Sequence, residues 1–269
     1  MRLTGMSKNK GLWVDWLTKY ETETQNMRLG KNYSLAESLF EILDDISAET
    51  RGAREIRPTD RSITGLLKVA PDQPQIPFES SLERDFAILM TGRRGVFSIE
   101  AQPVTIRYLD DLGKERTYTP DFLITRYRHE LERPESGLHT MLVEIKYTSD
   151  LDGKNQPTLL QKFKHAKQWT EFKGWSFSVF TEKEIRTSEL ERARELLPYR
   201  FLDSDTPVES AIDLFVQQHK VATIRQITDA LHNFSEEQVH TEVLKMLATH
   251  QLFADDESRL DADLSIYLL

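Results

Sequence analysis

The sequence predicts a mixed α/β chain followed by a smaller helical piece. Three observations predict it. Residues from Leu142 to Phe180 read strand, helix, strand, the outline of a parallel crossover. After Thr91-Gly92 the apolar residues alternate with period two, as in half-buried strands. Beyond Phe201 the character changes. That stretch holds four basic residues against thirteen acidic ones, which is the whole net charge of −9, whereas the 31 basic and 31 acidic residues before it cancel.

The first 60 residues hold one clear helical pattern, in which Leu35, Leu39, Ile42 and Leu43 recur at helical spacing. They read as a helical extension, residues 1–60, with no chemistry of their own. Residues 61–77 hold a short strand and then a turn-rich stretch, because Pro71, Pro74 and Pro77 exclude a helix. A helix follows, capped by Ser80 or Ser81, with Leu82, Phe86 and Leu89 on one face and Glu83 in its first turn. Phe97 and Ile99 alternate next, then Val104, Ile106 and Tyr108, and Asp110-Asp111-Leu112-Gly113 signals a hairpin turn. Pro120 before Asp121 marks a strand entry. The run Thr140 to Tyr147 is a mostly apolar, central strand. A helix over about Leu159 to Phe172 carries Phe163, Ala166 and Trp169 inward; the strand Trp175–Phe180 and a helix over Ser188–Leu196 complete the core, residues 61–200. Trp169 and Trp175 read as core residues. Pro198 to Pro207 is a natural boundary. Residues 201–269 hold helices over Val208–Gln218, Ile224–Leu231 and Ser235–Leu247, then two short strands, Gln251–Ala254 and Leu264–Leu269. That order is a winged-helix outline.

Composition narrows the function. The chain has 269 residues, 39% of them hydrophobic and 29% charged, with no run of the 18 or so apolar residues that a membrane span needs. The N-terminus lacks the apolar segment of a secretory signal. No cysteine is present, which excludes disulfides, thiolate zinc sites and cysteine nucleophiles together. A cytoplasmic location is expected. A net charge of −9 argues against holding nucleic acid by bulk charge.

The informative feature is Asp121, followed 23 residues later by Glu144-Ile145-Lys146. Glu144 and Lys146 alternate on one strand, so their side chains share a face. If the strand that Asp121 enters pairs with theirs, two carboxylates converge. Such a pair is a hard oxygen site suited to magnesium, with manganese able to substitute. A cation there can polarise a phosphate and supply hydroxide. Lys146 would meet the negative charge that develops on phosphorus. Glu83 could reach the same point from its helix. The bland alternative is a surface ion pair at a strand end. Against it, the charges interrupt an apolar strand, where unpaired charge is expensive.

In this order, a helix-borne Glu, then Pro-Asp, then Glu-x-Lys, the chain resembles the PD-(D/E)xK nucleases. More closely, it is similar to the TnsA endonucleases of heteromeric cut-and-paste transposons. The blocks that carry this are Pro77 to Asp85, Glu100 to Pro103, Tyr118 to Leu123, Val143 to Lys146 and Phe180 to Ile185. The resemblance implies a restriction-endonuclease-like mixed sheet flanked by helices, and a smaller winged-helix-like domain after it. It implies catalytic roles for Glu83, Asp121, Glu144 and Lys146, with Glu83, Asp121 and Glu144 as ligands of Mg2+. Glu144 stands where some TnsA proteins carry glutamine. Gln102 falls in a family block and is a supporting candidate, as is Lys162 on the following helix; a strand-edge amide and a solvated helix face are their alternatives. The implied activity is 5′-strand cleavage at transposon ends, beside a DDE transposase of the TnsB type and an AAA+ ATPase of the TnsC type. The acidic third helix of the C-terminal piece, with Glu236, Glu237 and Glu242 against Lys245, points to protein docking rather than DNA reading. Two rivals use the same residues: a stand-alone restriction or repair nuclease, and a non-catalytic accessory protein.

Overall fold

The computed structural model describes residues 63–127, 137–154, 156–254 and 259–268. The helical extension expected over 1–60 lies outside the described residues. Those that are described fall within one compact unit, Ala48–Leu269.

The centre is a four-stranded mixed sheet. The chain enters through a short antiparallel pair, β1 (Gly65–Leu67) and β2 (Ile76–Phe78). Helix α1 (Ser81–Gly92) follows. Ser80 caps it by accepting from the Glu83 N–H, and it buries Leu82, Phe86 and Leu89 as their spacing requires. Strands β3 (Val96–Ala101), β6 (Phe122–Tyr127), β7 (Leu138–Ile145) and β8 (Ser176–Phe180) lie in that order. The pairs β3/β6 and β6/β7 are antiparallel, and β7/β8 is parallel. Between β7 and β8 run the single turn α2 (Thr148–Leu151) and the crossover helix α3 (Gln156–Phe172). A parallel pair needs such a crossover.

Period two sorts the sheet's residues between two layers. Phe122, Ile124, Val143 and Ile145 pack with α1 in one apolar cluster. The Phe86 ring lies 5.3 Å from that of Phe122 and 5.1 Å from that of Phe180. On the other face Phe163 of α3 meets Phe177 at 5.7 Å. Trp169 and Trp175 stack edge to face at 5.5 Å, with Trp169 buried. A hairpin of β4 (Ile106–Leu109) and β5 (Glu115–Tyr118) stands beside the sheet. Its turn falls where expected, with Asp110 accepting from the Leu112 and Lys114 N–H groups and Gly113 at a φ of 74°.

One expectation is corrected here. Period two puts Phe97 on one face with Ile99, yet Phe97 is 64% exposed. Val96 opposes Arg126 and Ser98 opposes Thr125, so Phe97 is the extra residue of a bulge. A bulge breaks the two-residue phase, and Phe97 turns to solvent.

After β8 come α4 (Glu182–Ile185) and α5 (Ser188–Leu196), which packs on α1. Gly92 permits the approach: a Cβ there would stand 2.6 Å from that of Ala193. A 3-10 turn, Leu197–Phe201, leads into α6 (Thr206–His219), β9 (Val221–Thr223), α7 (Ile224–Ala230), α8 (Glu236–Ala248), β10 (Phe253–Ala254) and β11 (Ser265–Tyr267). The three strands form an antiparallel sheet ordered β10-β11-β9. A second apolar cluster, with Ile212, Ile227 and Val243 fully buried, fills this part. Ser235 and Gln238 close the capping box at α8 that the sequence signalled. Glu242 and Lys245 count among the charges by which this helix points to protein docking, but both are buried. Glu242 accepts from the Asp205 N–H at 3.1 Å, and Lys245 bonds Ser204.

Candidate active site

The site forms where β6 begins and β7 ends. Asp121 immediately precedes β6, and Phe122 pairs with Val143. Two backbone groups fix the aspartate: the Gln102 N–H donates to its carbonyl at 2.8 Å, and the Ile145 N–H donates to its Oδ2 at 2.6 Å. Lys146 extends β7 by one bond, its N–H donating to the Phe180 carbonyl at 3.0 Å. Alternation therefore brings the Glu144 and Lys146 side chains to one side.

Three oxygens meet one cation. The Lys146 Nζ lies 2.6 Å from Glu144 Oε1, 2.9 Å from the Ile145 carbonyl and 3.8 Å from Asp121 Oδ2. The two carboxylate oxygens therefore stand no further apart than the sum of 2.6 and 3.8 Å. Glu144 is buried, but Lys146 and Asp121 keep 26% and 19% of their side chains exposed, so solvent reaches the point of convergence. Tyr118, at the end of β5, donates its hydroxyl to Glu144 Oε2 at 2.7 Å.

The electrostatics follow from this crowding. Burial pushes the Asp121 carboxyl well above the usual range, and the neighbouring Glu144 pushes it further; Lys146 and the Ile145 N–H only partly offset this. Burial alone would lower the Lys146 ammonium, but Asp121 and Glu144 outweigh it and hold the ammonium above its ordinary value. Burial, then Glu144, raises Tyr118 well above a normal phenol, which keeps it a hydrogen-bond donor.

Glu83 takes a different place. Its Oε2 accepts from the Glu79 N–H at 2.7 Å and its Oε1 from the Ser80 hydroxyl at 2.9 Å. Burial raises its carboxyl more than these bonds lower it. Its charge is felt at Asp121 and Lys146, yet no hydrogen bond joins it to either among the described residues. The reason is geometric: α1 packs on the Val143 and Ile145 side of β7, whereas Glu144 points the other way. No group of three or more Asp, Glu or His side chains reaches metal-holding distance among the described residues.

Of the supporting candidates, Gln102 stands beside the site. It adopts a φ of 47°, and its Nε2 donates to Glu79 Oε1 at 2.9 Å. Its Oε1 is buried without a partner among the described residues. Lys162 stands 5.9 Å above the Tyr118 ring and lines a cleft beside the β4–β5 hairpin. His165 stacks on Tyr108 at 4.4 Å. Nothing in the sequence alone assigns a role to Tyr118 or to the Ile145 backbone. The signal for Tyr118 was its place three residues before Asp121, at the end of a hairpin strand.

Two carboxylates and an ammonium on the open end of a mixed sheet make a site fitted to phosphodiester chemistry. Residues 94–182 match the family model described as TnsA-like endonuclease N terminal. Over that segment, about a third of its length, the chain is similar to the TnsA-like endonuclease N-terminal domain. The matched segment contains Gln102, Asp121, Glu144, Lys146 and Lys162; Glu83 precedes it. No curated protein matches the chain. No helix among the described residues is long and apolar enough to cross a membrane.

Proposed function

We propose that the chain is a Mg2+-dependent endonuclease that cuts the 5′ strands at transposon ends, working with a DDE transposase of the TnsB type and an AAA+ ATPase of the TnsC type. The observation that carries this is the convergence of Asp121, Glu144 and the Ile145 carbonyl on the Lys146 ammonium.

These residues suit a divalent cation. All three acceptors are hard oxygens, and the ammonium already marks a point where positive charge is favoured. Burial and Glu144 make the charged form of Asp121 costly, and a cation would relieve that cost. Asp121, Glu144 and the Ile145 carbonyl would hold it. When bound, such an ion supplies Lewis acidity and hydroxide near neutral pH. Lys146, kept protonated by its neighbours, faces the charge that develops on the phosphoryl oxygens. Tyr118 fixes the rotamer of Glu144, and the Ile145 N–H fixes that of Asp121. Glu83, once released from its cap, would supply a further oxygen; Gln102 and Lys162 would bind around the site.

The order helix, strand, helix, helix, strand, strand beyond Thr206 supports a winged-helix reading of residues 201–269, after a nuclease part over 61–200. That part carries the chain's whole net charge, which favours a protein partner there.

The test uses labelled transposon-end duplex, magnesium and the transposase, with and without this chain. The 5′-strand cut is expected only when the chain is present, and Asp121→Ala and Lys146→Ala should each abolish it. Cleavage retained by either variant contradicts the proposal.

A further inference from the structure

Outside the carboxylate cluster, one buried acid stands out. Asp85 on α1 is 1% exposed and sits among three arginines. Arg194 Nη2 donates to its Oδ1 at 2.6 Å, Arg84 Nη2 to the same oxygen at 3.0 Å and Arg186 Nε to its Oδ2 at 3.1 Å. Burial would raise the Asp85 carboxyl, but the bonds from Arg194, Arg84 and Arg186 together hold it below the usual range. One carboxylate cannot neutralise three guanidinium groups, and no other carboxylate pairs with them among the described residues. The excess positive charge is not hidden: the three side chains keep 36%, 44% and 42% of their surface exposed. Each guanidinium has five N–H donors; Arg194 spends one of them here and Arg84 two, so most of theirs remain available to an outside acceptor, and Arg186 keeps two.

Arg186 of the cluster reaches two residues that neighbour the candidate site along the chain. Arg186 Nη2 donates to the Tyr147 hydroxyl at 3.3 Å and to the Ser81 hydroxyl at 3.4 Å. Tyr147 directly follows Lys146 in the chain, and Ser81 stands two residues before Glu83. Because Asp85 anchors them, the guanidinium groups have already lost much of the rotamer freedom that binding would otherwise cost. A structural lock between α1, α4 and α5 would need only enough cations to satisfy Asp85. The surplus is what an acidic polymer would use.

We propose that Arg84, Arg186 and Arg194, organised by Asp85, grip the phosphate backbone of the DNA strand beside the scissile phosphate. The inference rests on the nuclease reading and adds to it the positioning residues for the duplex. Arg186 and Arg194 are its most exposed members, and charge-assisted bonds from a guanidinium to phosphate are strong and directional.

The experiment measures duplex binding by the full chain over a salt series, in an Asp121→Asn background so that nothing is cut. Each lost phosphate contact lowers the slope of log affinity against log salt by about 0.9. Arg186→Gln and Arg194→Gln should each lower it by about that amount, and Arg186→Lys should restore it, since a lysine still meets phosphate as a point charge. Melting temperatures separate this from a structural lock, which Lys would not rescue. An unchanged slope in both Gln variants, at the parent's melting temperature, overturns the inference. So does absence of duplex binding by the chain, or equal affinity for polyglutamate, which would mark a protein-docking face. The nuclease reading is judged separately, by loss of cleavage in Asp121→Ala.

Discussion

Asp121 is held at its backbone by Gln102 and at its side chain by Ile145, so its carboxylate cannot turn from Glu144 to lower the repulsion. This is charge strain kept in place by secondary structure, and such strain collects at functional sites. Tyr118 is the residue that tests it most finely. Its hydroxyl is the buried partner of Glu144 Oε2, so Tyr118→Phe frees one carboxylate oxygen without changing shape. Strand cleavage should fall by about tenfold, the usual cost of losing a partner that orients a ligand. A cleavage rate equal to the parent's would show that Glu144 needs no such support. At this scale the sequence was partly readable. Alternation alone put Glu144 and Lys146 on one side. It could not show that Glu83 closes its own helix cap, because Ser80 and Glu79 satisfy that carboxylate through local bonds that any capped helix can make.

Helix α1 serves the fold at both ends. Ser80 caps its start, Asp85 ties its first turns to α4 and α5, and Gly92 lets Ala193 approach its end. Ser80→Ala should therefore destabilise the chain by about 1 kcal/mol in denaturant unfolding. It would also release one of the two groups that engage Glu83. Helices were the most readable elements: the limits of α5 coincide with the expected Ser188–Leu196, and α8 begins after the expected cap at Ser235. Strands were less so. The sequence gives no sign of β9, whose three residues find their place only by pairing with β11. The bulge at Phe97 is equally silent, because the extra residue is fixed by the register of Arg126 and Thr125 on a distant strand.

Across the whole molecule, Arg200 joins the two apolar clusters. Its Nε donates to the Ala248 carbonyl at 2.9 Å and its Nη2 to the Thr91 carbonyl at 2.5 Å, meeting the negative ends of α8 and α1. His250 lies against it. Burial first, and then the charges of Arg200 and Arg94, lower its imidazole to about 4, although a bond to the Thr91 backbone raises it somewhat. The unfolded histidine titrates near 6.5. Between those values the unfolded chain holds a proton that the folded one refuses. Stability is therefore full above this window and is lost as pH falls through it. His250→Asn, which also tolerates the φ of 61°, should remove about 2 kcal/mol of that acid sensitivity in unfolding measured at pH 7 and pH 4.5. An identical loss in parent and variant would place the acid sensitivity elsewhere.

Asp121 and Glu144 are proposed to hold a divalent cation together. Calorimetric titration of the full chain with Mn2+ tests this most directly. The account predicts saturable binding by the parent, weakened at least about tenfold in Asp121→Asn and in Glu144→Gln while both stay folded. Equal affinity in the parent and both variants, or no binding by the parent at any concentration, would contradict it.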